Sequence, residues 1–361
     1  MLKLIHGADF HLDSPFSGLS PEKAAQRRQE QRQMLSDLAW LVQYQKADLL
    51  LLSGDLFDSN EIYRETAEAL STALGSMTCP VFIAPGNHDC YNSRSPYNTI
   101  QWPENVHIFP SDRIEGVELT GLNCTVWGRA FTDPHQTAAP LKGFCAPHQD
   151  GNTHVMVLHG DLAAASDYGP VTEEDIAASA LDYLALGHVH QCSGLKKAGN
   201  TYYAYPGCPA GRGFDETGDK GVLYVELDNG SAKAALVPLC RRRYHILQVD
   251  VTGADPKEAV EAALPEHTED DIYRVILTGE CSGVNLKALE AALADHFYGL
   301  SLKDQTRLPR GLWDRRGENN LTGLFLSLMW EKCQAEPDNV TLQQAARFGL
   351  AALEKGEDPY L

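Results

Sequence analysis

Residues 49–58 read Leu49-Leu50-Leu51-Leu52-Ser53-Gly54-Asp55-Leu56-Phe57-Asp58. Consecutive leucines make a strand with no polar face, so it needs cover on both sides. Helices on either side in the sequence can supply that cover. Upstream, Ser20-Pro21 offers an N-cap and an N1 proline, and Leu35, Leu38, Ala39 and Val42 follow at helical spacing. Downstream, Tyr63, Ala67, Leu70 and Leu74 mark a second helix. Leu2–Ile5 before and Val81–Ala84 after read as further buried strands. Alternation of this kind predicts an α/β layered fold with helices covering a sheet. Beyond residue 100 the pattern turns richer in strands, at Val117–Phe131, His154–Leu158, Leu181–Leu186, Tyr202–Tyr205 and Val222–Leu227.

A new unit begins near Tyr244. Ile246–Val251 and Tyr273–Thr278 read as strands, and Asp255–Leu264 and Asn285–Phe297 as helices, a small α+β arrangement. From Leu321 the chain is helical. Leu321, Leu324, Phe325, Leu328 and Met329 form one apolar stripe, and Leu342, Ala346, Leu350 and Leu353 a second. The expected organisation is therefore three segments: 1–244, an α+β domain over 245–310, and C-terminal helices over 311–361.

Bulk composition narrows the function. The chain has 361 residues and is 43% hydrophobic, which excludes a disordered or fibrous protein. Its 30 Lys+Arg against 49 Asp+Glu give a net charge of -19. Both parts share it: 19 basic and 29 acidic residues over 1–244, 11 and 20 over 245–361. That excludes a general basic surface as the main grip on nucleic acid. No apolar run reaches the roughly 18 residues of a membrane helix, and the N-terminus meets Asp9 too soon for a signal peptide. Nine cysteines without a C-x-x-C pair argue against a disulfide framework or thiolate zinc, so a reducing cytoplasm is expected.

The chemistry sits where strands end. The segments are Asp9-Phe10-His11, Gly54-Asp55-Leu56-Phe57-Asp58, Gly86-Asn87-His88-Asp89, His159-Gly160-Asp161 and Gly187-His188-Val189-His190. In open α/β sheets ligands bind at the carboxyl ends of strands. Asp9 with His11, and His188 with His190, are two residues apart, so at a strand end both side chains of a pair reach one centre. Carboxylate, imidazole and amide without thiolate suit Mn²⁺, Fe or Zn²⁺. The donors are too many for one ion with an open position; two ions about 3.5–4 Å apart, sharing a carboxylate, would use them all.

D-x-H, G-D-x-x-D, G-N-H-D and G-H-x-H in this order, with His159-Gly160-Asp161 between the last two, resemble the calcineurin-like metallophosphoesterases. His6-Gly7-Ala8-Asp9-Phe10-His11-Leu12-Asp13-Ser14-Pro15-Phe16 resembles the start of SbcD-type DNA repair exonucleases. Tyr205-Pro206-Gly207, Arg212-Gly213-Phe214-Asp215-Glu216 and Lys220-Gly221 are similar to their YhaO-like branch. The motifs cover residues 1–228, and the last third matches that group's capping domain in element order only. The resemblance implies two β-sheets flanked by helices, a smaller α+β cap and C-terminal helices.

It also implies roles. Asp9, His11, Asp55 and His190 would hold one ion, and Asp55, Asn87, His159 and His188 the other, with Asp55 bridging. A hydroxide between the ions would attack phosphorus. His88 would serve the leaving oxygen, and Asp58 or Asp89 would orient that imidazole or the ligands. The implied activity is hydrolysis of DNA phosphodiesters as an exonuclease or endonuclease in repair, with Mn as the expected metal and Fe, Zn or Mg as alternatives. The implied partners are DNA and a coiled-coil SMC-like ATPase, and homodimers are common in the group. The same site chemistry would serve a phosphodiesterase or phosphatase acting on nucleotides or other phosphoesters.

Other residues receive plainer readings. Arg212 has substrate contact or a structural use open to it. Arg241–Arg243 reads as solvated surface or a domain junction. His6, His107, His135, His148 and His154 are structural or surface residues, and Cys90 and Cys208 are small packed ones. The stripe from Leu321 to Met329 is expected to pack on its own domain, with docking to a partner as the alternative.

Overall fold

The computed structural model describes residues 1–147, 150–337 and 339–355. It divides into two compact units, Met1–Arg243 and Tyr244–Leu361.

The first unit is a sandwich of two six-stranded sheets. One sheet holds β1 (Leu2–Gly7), β2 (Leu49–Leu52), β3 (Val81–Ile83) and β4 (Val106–Ile108) in parallel. Antiparallel β11 (Gly221–Asp228) and β12 (Ser231–Pro238) complete it on the β1 side. The other sheet runs in the order β5 (Glu115–Leu119), β6 (Cys124–Gly128), β7 (Thr153–His159), β8 (Tyr183–Gly187), β10 (Thr201–Ala204), β9 (Lys196–Ala198). Its central strands β6, β7, β8 and β10 are parallel.

The leucine run shows how the layers arise. Strand side chains alternate between faces. Leu49 and Leu51 face the inter-sheet core with Val126, Val155, Val157 and Tyr183. Leu50 and Leu52 instead pack with Leu35, Leu38, Leu70 and Leu74 of the helices Pro21–Gln45 and Arg64–Gly75. All four leucines are 1% exposed or less, and each contributes about 1.5–3 kcal/mol by burial. Ser20 caps the long helix, its side chain accepting from Lys23 N.

The second unit carries a three-stranded parallel sheet of β13 (Tyr244–Asp250), β14 (Ile272–Thr278) and β15 (Gly299–Asp304). Helices Pro256–Ala263 and Leu286–Leu293 connect the strands. Helices Leu321–Ala335 and Val340–Lys355 follow, around a separate core that includes Leu308, Trp313, Leu326, Met329 and Ala346.

Several expectations need correction. Val117–Phe131 is not one strand: β5 and β6 pair antiparallel through the turn Thr120–Leu122. Strands β4, β9, β12 and β15 escaped the sequence pattern because they are short or polar edge strands. For β12 a signal was present, since Asn229-Gly230, both at positive φ (48° and 77°), make the hairpin turn that pairs it with β11. The stripe from Leu321 to Met329 does not lie on one buried face. Leu326, Met329 and Cys333 are buried, whereas Leu321, Leu324 and Leu328 are 66%, 59% and 54% exposed. A spacing rule finds an apolar face but not which side the partner helix takes.

Candidate metal centre

The carboxyl ends of β1, β2, β3, β7 and β8 bring their polar residues together. Asp9 and His11 follow β1, and their N–H groups donate to Gly54 O (3.0 Å) and Asp55 O (2.9 Å) beyond β2. Asp9, His11, Asp55 and His188 all take positive φ, at 54°, 43°, 50° and 108°. Non-glycine backbone there costs on the order of 1–3 kcal/mol per residue and persists only where surrounding structure enforces it. Concentration of this strain on candidate ligands points to a functional constraint. The approach also needs glycine. A Cβ on Gly86 would lie 2.1 Å from Asp55 Oδ1, and one on Gly187 would lie 1.8 Å from Ser53 O.

The donor atoms converge. His11 Nε2 and His190 Nε2 are 3.2 Å apart. His159 Nε2 is 2.9 Å from Asn87 Oδ1 and 3.5 Å from Asp55 Oδ2. His11 Nε2 lies 3.8 Å from Asp55 Oδ2, and His190 Nε2 3.9 Å from Asp9 Oδ1. Asp9 with His11 and His190, and Asp9 with Asp55 and His159, are compact enough to hold an ion. His188 stands beside His159, ring centroids 5.3 Å apart, and its N–H donates to both Asp9 oxygens (3.0 and 3.1 Å).

Each imidazole needs its lone pair turned inward, and the far nitrogens arrange this. With its proton on Nδ1, His11 donates to Asp58 Oδ1 (3.1 Å), His190 to Glu216 Oε1 (2.7 Å) and His159 to Ser53 O (2.8 Å). That leaves Nε2 of all three free to bind a cation. Neutrality of the rings agrees: burial lowers the pKa of His11, and burial followed by His159 lowers that of His188 to about 4. The carboxylates call for positive charge. Burial, then Asp55, pushes Asp9 well above the usual carboxylate range. Burial also opposes ionisation of Asp55, and only positive charge facing it, on the rings of His159, His11 and His88 or on a cation among them, holds that acid below its ordinary value. Two buried carboxylates side by side, faced by neutral inward-turned imidazoles, fit divalent cations.

His88 differs from the candidate ligands. It is exposed, its N–H donates to Asp55 Oδ1 (2.9 Å), and its Nδ1 lies 3.2 Å from Asp58 O. Asp58, His11 and His88 form a third compact group. The two candidate orienting acids separate here: the Asp58 carboxylate contacts His11 and Arg212 (3.0 Å). Among the described residues Asp89 touches no imidazole, accepting instead from Leu56 N, Phe57 N, Gly86 N and Tyr97 Oη at 2.6–3.1 Å. It ties the loop carrying Asp55 to the loop carrying Asn87.

Glu216 was missed as a partner of His190, because its place 26 residues further on is set by the fold. The available signal was its presence in the Arg212–Glu216 stretch. His6 lies buried under the site, with Nδ1 2.9 Å from Tyr183 Oη and Nε2 3.2 Å from Leu186 O. His154 pairs with Asp150 (3.2 Å), and His135 lies beside Tyr168. His107 is half-buried against Phe82 and Phe109. His148 lies outside the described residues. Arg242 is buried on Glu30 (2.8 Å) and Arg243 pairs with Asp219 (2.6 Å). Among the described residues no helix is long and apolar enough to cross a membrane.

Residues 2–192 match the model of the calcineurin-like phosphoesterase family. The chain is 30% identical to the uncharacterized metallophosphoesterase YhaO of Bacillus subtilis, over 90% of this chain and 84% of that protein. It is 23% identical to a subunit of the nuclease SbcCD of Staphylococcus epidermidis, over 77% of this chain and 79% of that one. It is 24% identical to the DNA double-strand break repair protein Mre11 of Methanopyrus kandleri, over 63% and 55%. The family match spans the strands that carry nearly every clustered donor, and the YhaO similarity runs through both units. The chain therefore belongs to the calcineurin-like metallophosphoesterases, metal-dependent hydrolases of phosphoesters.

Proposed function

We propose that the chain is a DNA nuclease that hydrolyses phosphodiester bonds at a two-metal centre, with Mn as its metal. The observation that supports this best is the convergence of Asp9, His11, Asp55, Asn87, His159 and His190 beside an exposed histidine, His88. Asp9, His11, Asp55 and His190 would hold one ion, and Asp55, Asn87, His159 and His188 the other. Two divalent ions there would offset two carboxylates, leave a local charge of about +2 for a phosphodiester and supply a nucleophile at neutral pH.

The chain's own residues do the rest. Asp58 and Glu216 hold the rings of His11 and His190. His88, with Nδ1 against Asp58 O, keeps Nε2 for the substrate. As an imidazolium it would donate that Nε2 proton to the leaving oxygen. DNA as substrate is favoured by the names of the relatives, a nuclease subunit and a double-strand break repair protein. The net charge of -19 makes a loose electrostatic grip on DNA weak and salt-sensitive, so DNA would be held with help. That help would come from the second unit, a second copy or an SMC-like coiled-coil ATPase. The exposed Leu321, Leu324 and Leu328 suit docking of such a partner.

The test is digestion of linear duplex and single-stranded DNA with Mn²⁺ by the wild type, His88→Ala and Asp55→Ala. The expected result is cleavage by the wild type, loss in Asp55→Ala, and a fall of about 10²–10⁴-fold in His88→Ala. No wild-type cleavage of DNA, with fast turnover of a nucleotide phosphodiester, would move the substrate to small phosphoesters.

A further inference from the structure

Arg212 lies between two carboxylates that each hold an imidazole. Its Nη1 donates to Asp58 Oδ1 at 3.0 Å and its Nη2 to Glu216 Oε1 at 2.9 Å. The same two oxygens accept from Nδ1 of His11 (3.1 Å) and Nδ1 of His190 (2.7 Å). The Arg212 N–H closes the loop on itself by donating to Glu216 Oε2 at 2.7 Å. One guanidinium thus backs two rings that come from opposite sheets, one after β1 and one after β8, and whose Nε2 atoms lie 3.2 Å apart.

From this geometry we infer that Arg212 is a positioning residue of the metal centre. By bridging Asp58 and Glu216 it holds His11 and His190 with both Nε2 atoms facing one ion, and it does not hold the substrate phosphate. The inference rests on the reading of His11 and His190 as ligands. Without a cation between them, the two carboxylates would repel and the rings they hold would splay. Arginine suits this place because its planar fork reaches two acceptors at fixed separation, whereas a lysine ammonium is a point charge on a flexible stem. Both terminal nitrogens already face carboxylates, and Nε is buried. The loop is anchored from behind as well. Arg27 Nη2 donates to Gly211 O (3.0 Å), and Lys220 Nζ donates to His190 O (3.0 Å). Arg27 itself is buried and paired to Glu30 at 2.8 Å.

The two uses of Arg212, ligand positioning and substrate contact, separate in measurement. The full chain is stripped of metal and titrated with Mn²⁺ by calorimetry and by electron paramagnetic resonance. Arg212→Gln is expected to weaken one of the two Mn²⁺ sites by about 10–100-fold, the usual effect of losing a partner that orients a ligand. The signal of a coupled ion pair then gives way to that of a single ion at limiting metal. Glu216→Gln should weaken the same site, and Arg212→Lys should recover little of the loss. Melting curves of the metal-free variants identify any that fail to fold, and Arg212→Lys or Glu216→Gln then carries the test. Unchanged Mn²⁺ affinity in folded Arg212→Gln, with KM for bis(p-nitrophenyl) phosphate raised at saturating Mn²⁺, would overturn the inference in favour of substrate contact. Asp55→Asn tests the ligand reading separately: if it retains both Mn²⁺ sites, the ligand set itself is wrong.

Discussion

Asp89→Asn probes the joint that aligns the two loops of the centre. Asp89 is buried and accepts four hydrogen bonds, from Leu56 N (2.7 Å), Phe57 N (3.1 Å) and Tyr97 Oη (2.6 Å) on one oxygen and Gly86 N (2.8 Å) on the other. Burial and the nearby Asp55 push its carboxyl up to about 6. Three of the four neighbours are N–H groups that can only donate, so the carboxylate is the form that fits at neutral pH. An asparagine can keep one oxygen towards three of these donors but must turn its amide N–H₂ towards Gly86 N. That loses one charge-assisted bond, about 2 kcal/mol, and leaves a buried N–H unpaired, about 1–3 kcal/mol more. We expect a loss of about 3–5 kcal/mol, a large part of the stability of a typical domain. For a unit of this size this lowers the melting midpoint by roughly 6–20 °C. The assay is calorimetric melting of the metal-free full chain at neutral pH, following the transition of the first unit, with Tyr97→Phe as a smaller, single-bond loss. If Asp89→Asn melts within about 2 °C of the wild type, the reasoning fails. Asp89 would then be a protonated acid whose place an amide fills without loss.

Two further outcomes follow from burial and charge. In metal-free protein the folded state favours neutral Asp9, whose pKa is raised by burial and by Asp55. Stability should then fall as pH rises through the ordinary carboxylate range, near 3.9, towards the raised folded value, and Mn²⁺ should restore it. A melting series with and without chelator checks this, and a metal effect that does not grow with pH in that window contradicts it. In the C-terminal helices, Leu326→Ala should cost about 2–5 kcal/mol because Leu326 is fully buried. Leu324→Ala, at 59% exposed, should change stability by less than about 0.5 kcal/mol in urea melts.

Much of the site is legible in residue order alone. Asp9, His11, Asp55, Asn87, His159, His188 and His190 all stand just past runs of apolar residues, and chain order places such residues at strand ends. The leucine run at 49–52 announced the parallel sheet, because a strand without a polar face must be covered twice. What local pattern missed are edge strands such as β12 and β15, whose alternating polar residues are stabilised by a neighbour rather than by propensity. The helix Leu321–Ala335 teaches the same lesson: its apolar residues were plain, but which of them the second helix covers was not.

The sequence by itself determined the kind of donors, their order and the strands that present them. These are local properties: residue type, spacing and period. Only the tertiary structure decided how the rings are turned. Asp58 lies 47 residues from His11, and Glu216 lies 26 from His190. His11 and Asp58 meet because β1 and β2 lie side by side in one sheet, whereas Glu216, between β10 and β11, reaches His190 after β8 because the two sheets pack face to face. Arg212, 154 residues from Asp58, joins the two pairs for the same reason. A hydrogen bond acts over about 3 Å of space, so chain separation neither forbids it nor reveals it.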